Sequence, residues 1–113
     1  MKIRIEERVK FDADKMAKIA LATTNRAQLD LYCVAPGQSQ KPHTHGEQDK
    51  IYYVLEGAGR FSLAGQDLRL ASGDALVAPA GVEHGLVNDG TNPLLVLVVV
   101  TPPPPHGQEA KKP

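Results

Sequence analysis

Gly37-Gln38-Ser39-Gln40-Lys41-Pro42-His43-Thr44-His45-Gly46-Glu47-Gln48-Asp49-Lys50-Ile51-Tyr52-Tyr53-Val54-Leu55-Glu56-Gly57 is the stretch on which the reading of this chain turns. Two histidines at i and i+2 project to one side only if the backbone between them is extended. Ile51 to Leu55 is β-branched, aromatic and aliphatic and stops at Gly57, which reads as a second strand. The histidine pair therefore lies on one strand and faces a partner strand across the short polar loop Gly46 to Asp49. Imidazoles held in this way can share one metal ion. A third histidine, His84, belongs to another predicted strand.

Downstream of Gly57, strands recur at hairpin spacing. Phe61 and Leu63 alternate with Arg60 and Ser62, and Leu68 and Leu70 alternate with Asp67 and Arg69, with Gly65-Gln66 turning the chain between them. Ala75 to Ala78 runs into Pro79-Ala80-Gly81, His84 to Val87 follows, and Asn88 to Asn92 makes the next turn. Leu94 to Val100 is apolar at every position, so both of its faces must be covered. One face meets the core. The other must meet the N-terminal segment or a second subunit, and a homodimer is expected. Upstream, Ile3, Ile5 and Val9 alternate with charged residues as in an edge strand or a reaching arm. Asp12 to Lys18 reads as one or two helical turns with Asp12 at the N-cap, and Ala27 to Val34 as a strand. Many short strands, Gly-rich turns and almost no helix predict an all-β sandwich or barrel over residues 1–101, with an N-terminal arm and short helix in 1–26. Pro102 to Pro105 ends the last strand, and residues 102–113 form a proline-rich tail expected to be disordered.

At these residues the chain resembles the cupin family. The family's first motif is glycine, five residues, His-x-His, three or four residues, Glu, six residues, glycine. Gly37, His43, His45 and Gly57 fall on it, while Lys50 stands where the family has glutamate. The second motif is glycine, five residues, Pro-x-Gly, two residues, His, three residues, Asn. Gly73, Pro79, Gly81, His84 and Asn88 match every fixed position, and the short segment between the motifs is that of small bacterial single-domain cupins. The resemblance implies a jelly-roll, or double-stranded β-helix, barrel. It implies a homodimer, and one divalent metal ion (Zn, Fe, Mn, Ni or Cu) held by His43, His45 and His84. It implies no single activity, because the family hosts many.

By strand parity Lys50, Tyr52 and Val54 share the face that looks into the barrel. An ammonium there repels a dication, unless the Lys50 stem curls away towards Glu47 or Glu83. Gln48 shares that parity and offers a carbonyl oxygen as a further ligand. Asp49 has the better charge but points away unless a bulge intervenes. Tyr52 gives the pocket a hydroxyl or packs half-buried, and Lys50 can itself meet a substrate carboxylate. The expected function is binding of a small organic acid, sugar or aromatic molecule beside the metal, with oxygenase, isomerase or cyclase chemistry. The alternative is a metal-poor module that binds a small ligand without turnover.

The 113 residues bound the rest. Thirteen basic and thirteen acidic side chains cancel, so nucleic acid is not an expected partner. Cys33 is alone in an apolar run and reads as a small buried hydrophobe. No apolar leader opens the chain and its longest apolar run is far short of a bilayer span, so the expectation is a cytoplasmic protein with no membrane partner. No nucleophile triad or phosphate loop is present at a recognisable spacing, and Gly57-Ala58-Gly59 is a bare turn with no helix after it.

Overall fold

The computed structural model describes residues 1–44 and 46–104. His45 and residues 105–113, which include His106 and most of the expected tail, lie outside the described residues. A 3-10 turn at Ile5–Glu7 precedes nine strands: β1 (Ala17–Thr23), β2 (Gln28–Val34), β3 (Ser39–His43), β4 (Asp49–Glu56), β5 (Ala58–Leu63), β6 (Gln66–Ala71), β7 (Ala75–Ala78), β8 (His84–Val87) and β9 (Leu94–Thr101). They form two antiparallel sheets, one in the order β1-β2-β9-β4-β7 and the other β3-β8-β5-β6. Every strand of the second sheet sits between strands of the first in sequence. The chain therefore crosses repeatedly between layers, which is the jelly-roll arrangement.

Period-two burial decides which side chains fill the space between the sheets. In β4 the buried positions are Lys50, Tyr52 and Val54, and in β9 they are Leu94, Val96, Val98 and Val100. With Tyr32, Val34, Phe61, Leu70, Leu76 and Leu86 these apolar side chains make the main core. Burying one such valine stabilises the fold by roughly 1.5–3 kcal/mol. The other face of β9 is covered from within the chain. Leu95 and Leu97 join Leu21, Leu31 and Cys33 in a second cluster, to which the N-terminal segment adds Ile3, Ile5 and Val9. Cys33 is fully buried there, and burial pushes its thiol pKa up, as suits packing rather than reactivity.

The N-terminal segment departs from its sequence reading. Ile3, Ile5 and Val9 reach the sheet through a 3-10 turn and not as an edge strand. The helical turn expected at Asp12 to Lys18 is absent: its last two residues open β1, one edge of the first sheet. Asp12 does bond a backbone N–H, that of Asp14 at 2.8 Å, but this is an Asx turn two residues on, which competes with helix instead of starting it.

Gly57 joins β4 to β5 at φ +84, and a Cβ there would collide with the Pro93 carbonyl. Gly65, in the two-residue turn between β5 and β6, has a similar φ of +80 but open space around it. Gly57→Ala should therefore destabilise the fold by about 2 kcal/mol or more, while Gly65→Asn should cost less than about 1 kcal/mol. Denaturant midpoints of the two variants measure the difference, and equal losses would contradict it.

Candidate metal and ligand site

His43 and His84 meet on adjacent strands. β3 does not pair with β4, its neighbour in sequence; the loop between them crosses from one sheet to the other. Across the β3–β8 ladder His43 lies opposite His84, and the two ring centroids are 4.6 Å apart. The register explains how. Gln40 pairs with Leu86 and His43 with His84, so three steps along β3 match two along β8. This one-residue bulge falls at Lys41-Pro42, and proline brings no N–H to the ladder. Without it, parity would send the residue after Pro42 outward. With it, His43 turns to the same side as Gln40. Gly85 makes the close approach possible, since a Cβ on it would stand 2.8 Å from the Gln40 carbonyl oxygen and from the Pro42 nitrogen.

Each imidazole is oriented by a backbone carbonyl. His43 Nδ1 is 2.8 Å from the Lys41 oxygen and His84 Nδ1 is 2.9 Å from the Val82 oxygen. A carbonyl only accepts, so each Nδ1 carries the proton and Nε2 is the lone-pair nitrogen of each ring. This is the outer-shell arrangement that suits a histidine to a metal. Burial lowers the pKa of both rings. The carbonyl contacts oppose that shift, and the Lys50 charge adds to it at both, after His84 in the case of His43.

Lys50 does not curl out to solvent. It is buried on the inward face of β4 at 4% exposure, and its charge bears on both imidazoles. Gln48 is buried too, and its amide nitrogen donates to the Pro102 carbonyl at 3.1 Å. Asp49 is exposed, and its Oδ1 accepts from Ala80 N at 2.8 Å, pinning the Pro79-Ala80-Gly81 turn that leads to His84. Tyr52 is wholly rather than half buried; its ring centroid is 6.0 Å from that of His84, and its hydroxyl donates to Gln40 Oε1 at 3.4 Å. Asn88 is structural: its amide nitrogen bonds the Val34 and Asn92 carbonyls, each at 2.9 Å.

Among the described residues no three His, Cys, Asp or Glu side chains converge as a metal-binding group. The described part of the site thus supplies two imidazoles, a donor set that suits a borderline divalent ion. The reading from sequence missed the buried polar side chains of β2 and β3. Gln28, Asp30 and Gln40 are all buried, and Gln28 Nε2 donates to Asp30 Oδ1 at 2.9 Å. The signal was present in β2, where Gln28 and Asp30 share the parity of Tyr32.

The family profile described as Cupin domain matches residues 30–100. In three dimensions the chain is similar to the protein TT1209 of Thermus thermophilus, with 41% identity and a TM-score of 0.88 over 92% of this chain and all of that one. It is similar to KdgF from Halomonas sp., at 27% identity and a TM-score of 0.81 over 93% of this chain and 96% of that one. In sequence it is 36% identical over 59 residues to an oxalate-binding protein of Thermotoga maritima, covering 52% of this chain and 49% of that one. The chain spans about half the length of several curated relatives it matches. No helix among the described residues is long and apolar enough to cross a membrane.

Lowered histidine pKa values have a thermodynamic sign. The unfolded chain takes up these protons near the ordinary value of about 6.5, and the folded chain resists them until a lower pH. The unfolded state therefore binds more protons in that window. The stabilisation is complete above the ordinary value and is lost as pH falls through it towards the lowered folded values. Thermal midpoints should decline between about pH 7.5 and pH 5, and less steeply in His84→Gln. A midpoint that is flat or rising over that range would contradict the burial of the pair.

Proposed function

The chain belongs to the cupin family, and on that premise we propose that His43, His45 and His84 hold one divalent metal ion inside the barrel, where a small organic molecule is bound and acted on. The carrying observation is the 4.6 Å spacing of the His43 and His84 rings, each with Nδ1 engaged by a carbonyl and Nε2 as its lone-pair nitrogen. His45, two residues beyond His43 in the motif, completes the set, and the Gln48 amide oxygen is the further donor. Bound there, a Zn, Fe, Mn, Ni or Cu ion supplies Lewis acidity towards a carbonyl oxygen or activates water or dioxygen, as oxygenase, isomerase or cyclase chemistry needs. The chain's own contribution is to orient the imidazoles, exclude bulk water and present Lys50 and Tyr52 to the ligand. The likeness to an oxalate-binding protein supports an organic acid as that ligand.

Protein purified without chelator should carry close to one equivalent of metal. His84→Ala should weaken uptake by more than about a hundredfold, and Gly85→Ala, which keeps all the histidines but opens the bulge, by about tenfold. Lys50→Glu should tighten binding by removing a repulsive charge. Elemental analysis and titration measure all three. A second reading is favoured by Lys50, whose buried ammonium opposes a dication. In it the barrel is a metal-poor module and the imidazoles bond the ligand directly. Less than about a tenth of an equivalent of metal, with no rise in thermal midpoint on adding Zn, Mn, Fe or Ni salts, is what that reading requires.

We further propose that the protein is a homodimer. Ile51, Tyr53 and Val77 are 38%, 43% and 55% exposed on the outer side of β4 and β7, at an open edge of the first sheet. Ile51 and Val77 are cross-strand partners, so the patch is continuous. A second copy would cover it and shield the β7 edge. Light scattering should give twice the chain mass, and Val77→Glu should return it to one. A wild-type mass of one chain would overturn the proposal.

A further inference from the structure

A cavity of about 400 Å³ opens on the second sheet. The side chains that line it alternate with those of the core. Ser39 and Lys41 flank buried Gln40 on β3, and Arg60 and Ser62 flank buried Phe61 on β5. β8 lies between these two strands. The ladders put Ser39 and Arg60 on either side of Val87, and Asp67 of β6 opposite Ser62. Ser39 and Lys41 thus form one wall, Arg60, Ser62 and Asp67 the other, and Val87 the floor. The cavity faces away from the histidines, on the outer side of the barrel.

The two walls each carry a cation that the fold does not use. Arg60 stands directly across from Arg69 on one face, an unfavourable pairing of like charges. Arg69 is neutralised by Asp89, whose two oxygens accept from its Nη1 at 3.0 and 3.1 Å. The other ion pairs among the described residues join Arg4 to Glu6 and Glu7, so Lys41 and Arg60 take part in none. Strands two apart in a sheet are separated by roughly 9.5 Å. Across that gap two long side chains can close on one anion, Arg60 with its planar fork and Lys41 as a point charge. A carboxylate has two oxygens and fills the fork alone, whereas a phosphate has a further oxygen for the second arm. Asp67 repels a second anionic group but accepts a hydrogen bond from a hydroxyl. We propose that this cavity is a second ligand site, outside the barrel, for a small phosphate monoester that carries a free hydroxyl. Its phosphate bridges Lys41 and Arg60, and its hydroxyl donates to Asp67. The inference does not rest on what the barrel holds. Lys41 nevertheless faces both places, since its carbonyl accepts from His43 Nδ1 at 2.8 Å.

Calorimetric titration of the full chain with glycerol 3-phosphate, inorganic phosphate and glycerate tests the assignment. Glycerol 3-phosphate should bind about tenfold tighter than glycerate, which has the hydroxyls without the phosphate, and measurably tighter than inorganic phosphate. Arg60→Gln and Lys41→Gln should each weaken it by about tenfold. Asp67→Asn should tighten inorganic phosphate and erase the preference for the ester, because it removes both a repulsive charge and the hydroxyl's acceptor. All three residues are exposed, so thermal midpoints should stay at the wild-type value. Failure of both phosphates to bind, or glycerate binding as well as the ester, would overturn the proposal. So would full affinity in the Arg60 and Lys41 variants, which would move the phosphate to Lys50 or a metal inside the barrel. Co-sedimentation with phosphatidylglycerol vesicles, without binding of the soluble ester, would overturn it in favour of a lipid-headgroup surface.

Discussion

The contact between the β3 bulge and Gly85 is the constraint on which the site depends. One extra residue at Lys41-Pro42 reverses the parity of everything after it in β3, and so brings His43 to the inside. The bulge can close only because β8 presents a glycine where any side chain would strike the Gln40 and Pro42 backbone. The two carbonyls that orient the imidazoles belong to the same construction, since each comes from two residues before its histidine. Position and tautomer are thus set by main chain, which reorganises less readily than side chains.

Around this pair the barrel departs from an oily core. The strands of the first sheet turn Gln28, Asp30, Tyr32, Lys50 and Tyr52 inward, among the valines of β9. Groups of this kind destabilise a small domain unless they are bonded, and here Gln28 bonds Asp30 while Tyr52 bonds Gln40. The charge on Lys50 sets the character of the chamber. Burial is the main cause that lowers the pKa of both imidazoles and the Lys50 charge adds to it, while the same charge complements anions where a glutamate would have repelled them.

Much of this was legible in the sequence. The apolar alternation of β5 and the turn at Gly65 mark an all-β chain, because period-two burial and turn chemistry are local, and the resemblance carried by the two spaced motifs implies the barrel; in β6 Leu70 is buried but Leu68 is exposed. The inward parity of Lys50, Tyr52 and Val54 was readable for the same reason. What could not be read was non-local. Asp12 has the composition of a helix cap, yet its segment is drawn into β1 by pairing with β2, and no window of sequence contains that pairing. The facing of His43 and His84 needed the bulge, whose cause is the smallness of a residue forty-odd positions away. The inward set in β2 was overlooked because Leu29, Leu31 and Cys33, between its members, made the strand look apolar throughout.

The N-terminal segment carries a consequence for how the molecule comes together. Ile3, Ile5 and Val9 settle in one cluster with Leu95 and Leu97, roughly ninety residues further along. Closing so long a loop costs conformational entropy, by an amount that grows only slowly with length. The cover of the first sheet is thus contributed by one end of the chain to a strand laid down near the other, and the barrel's outer seam joins segments remote in sequence.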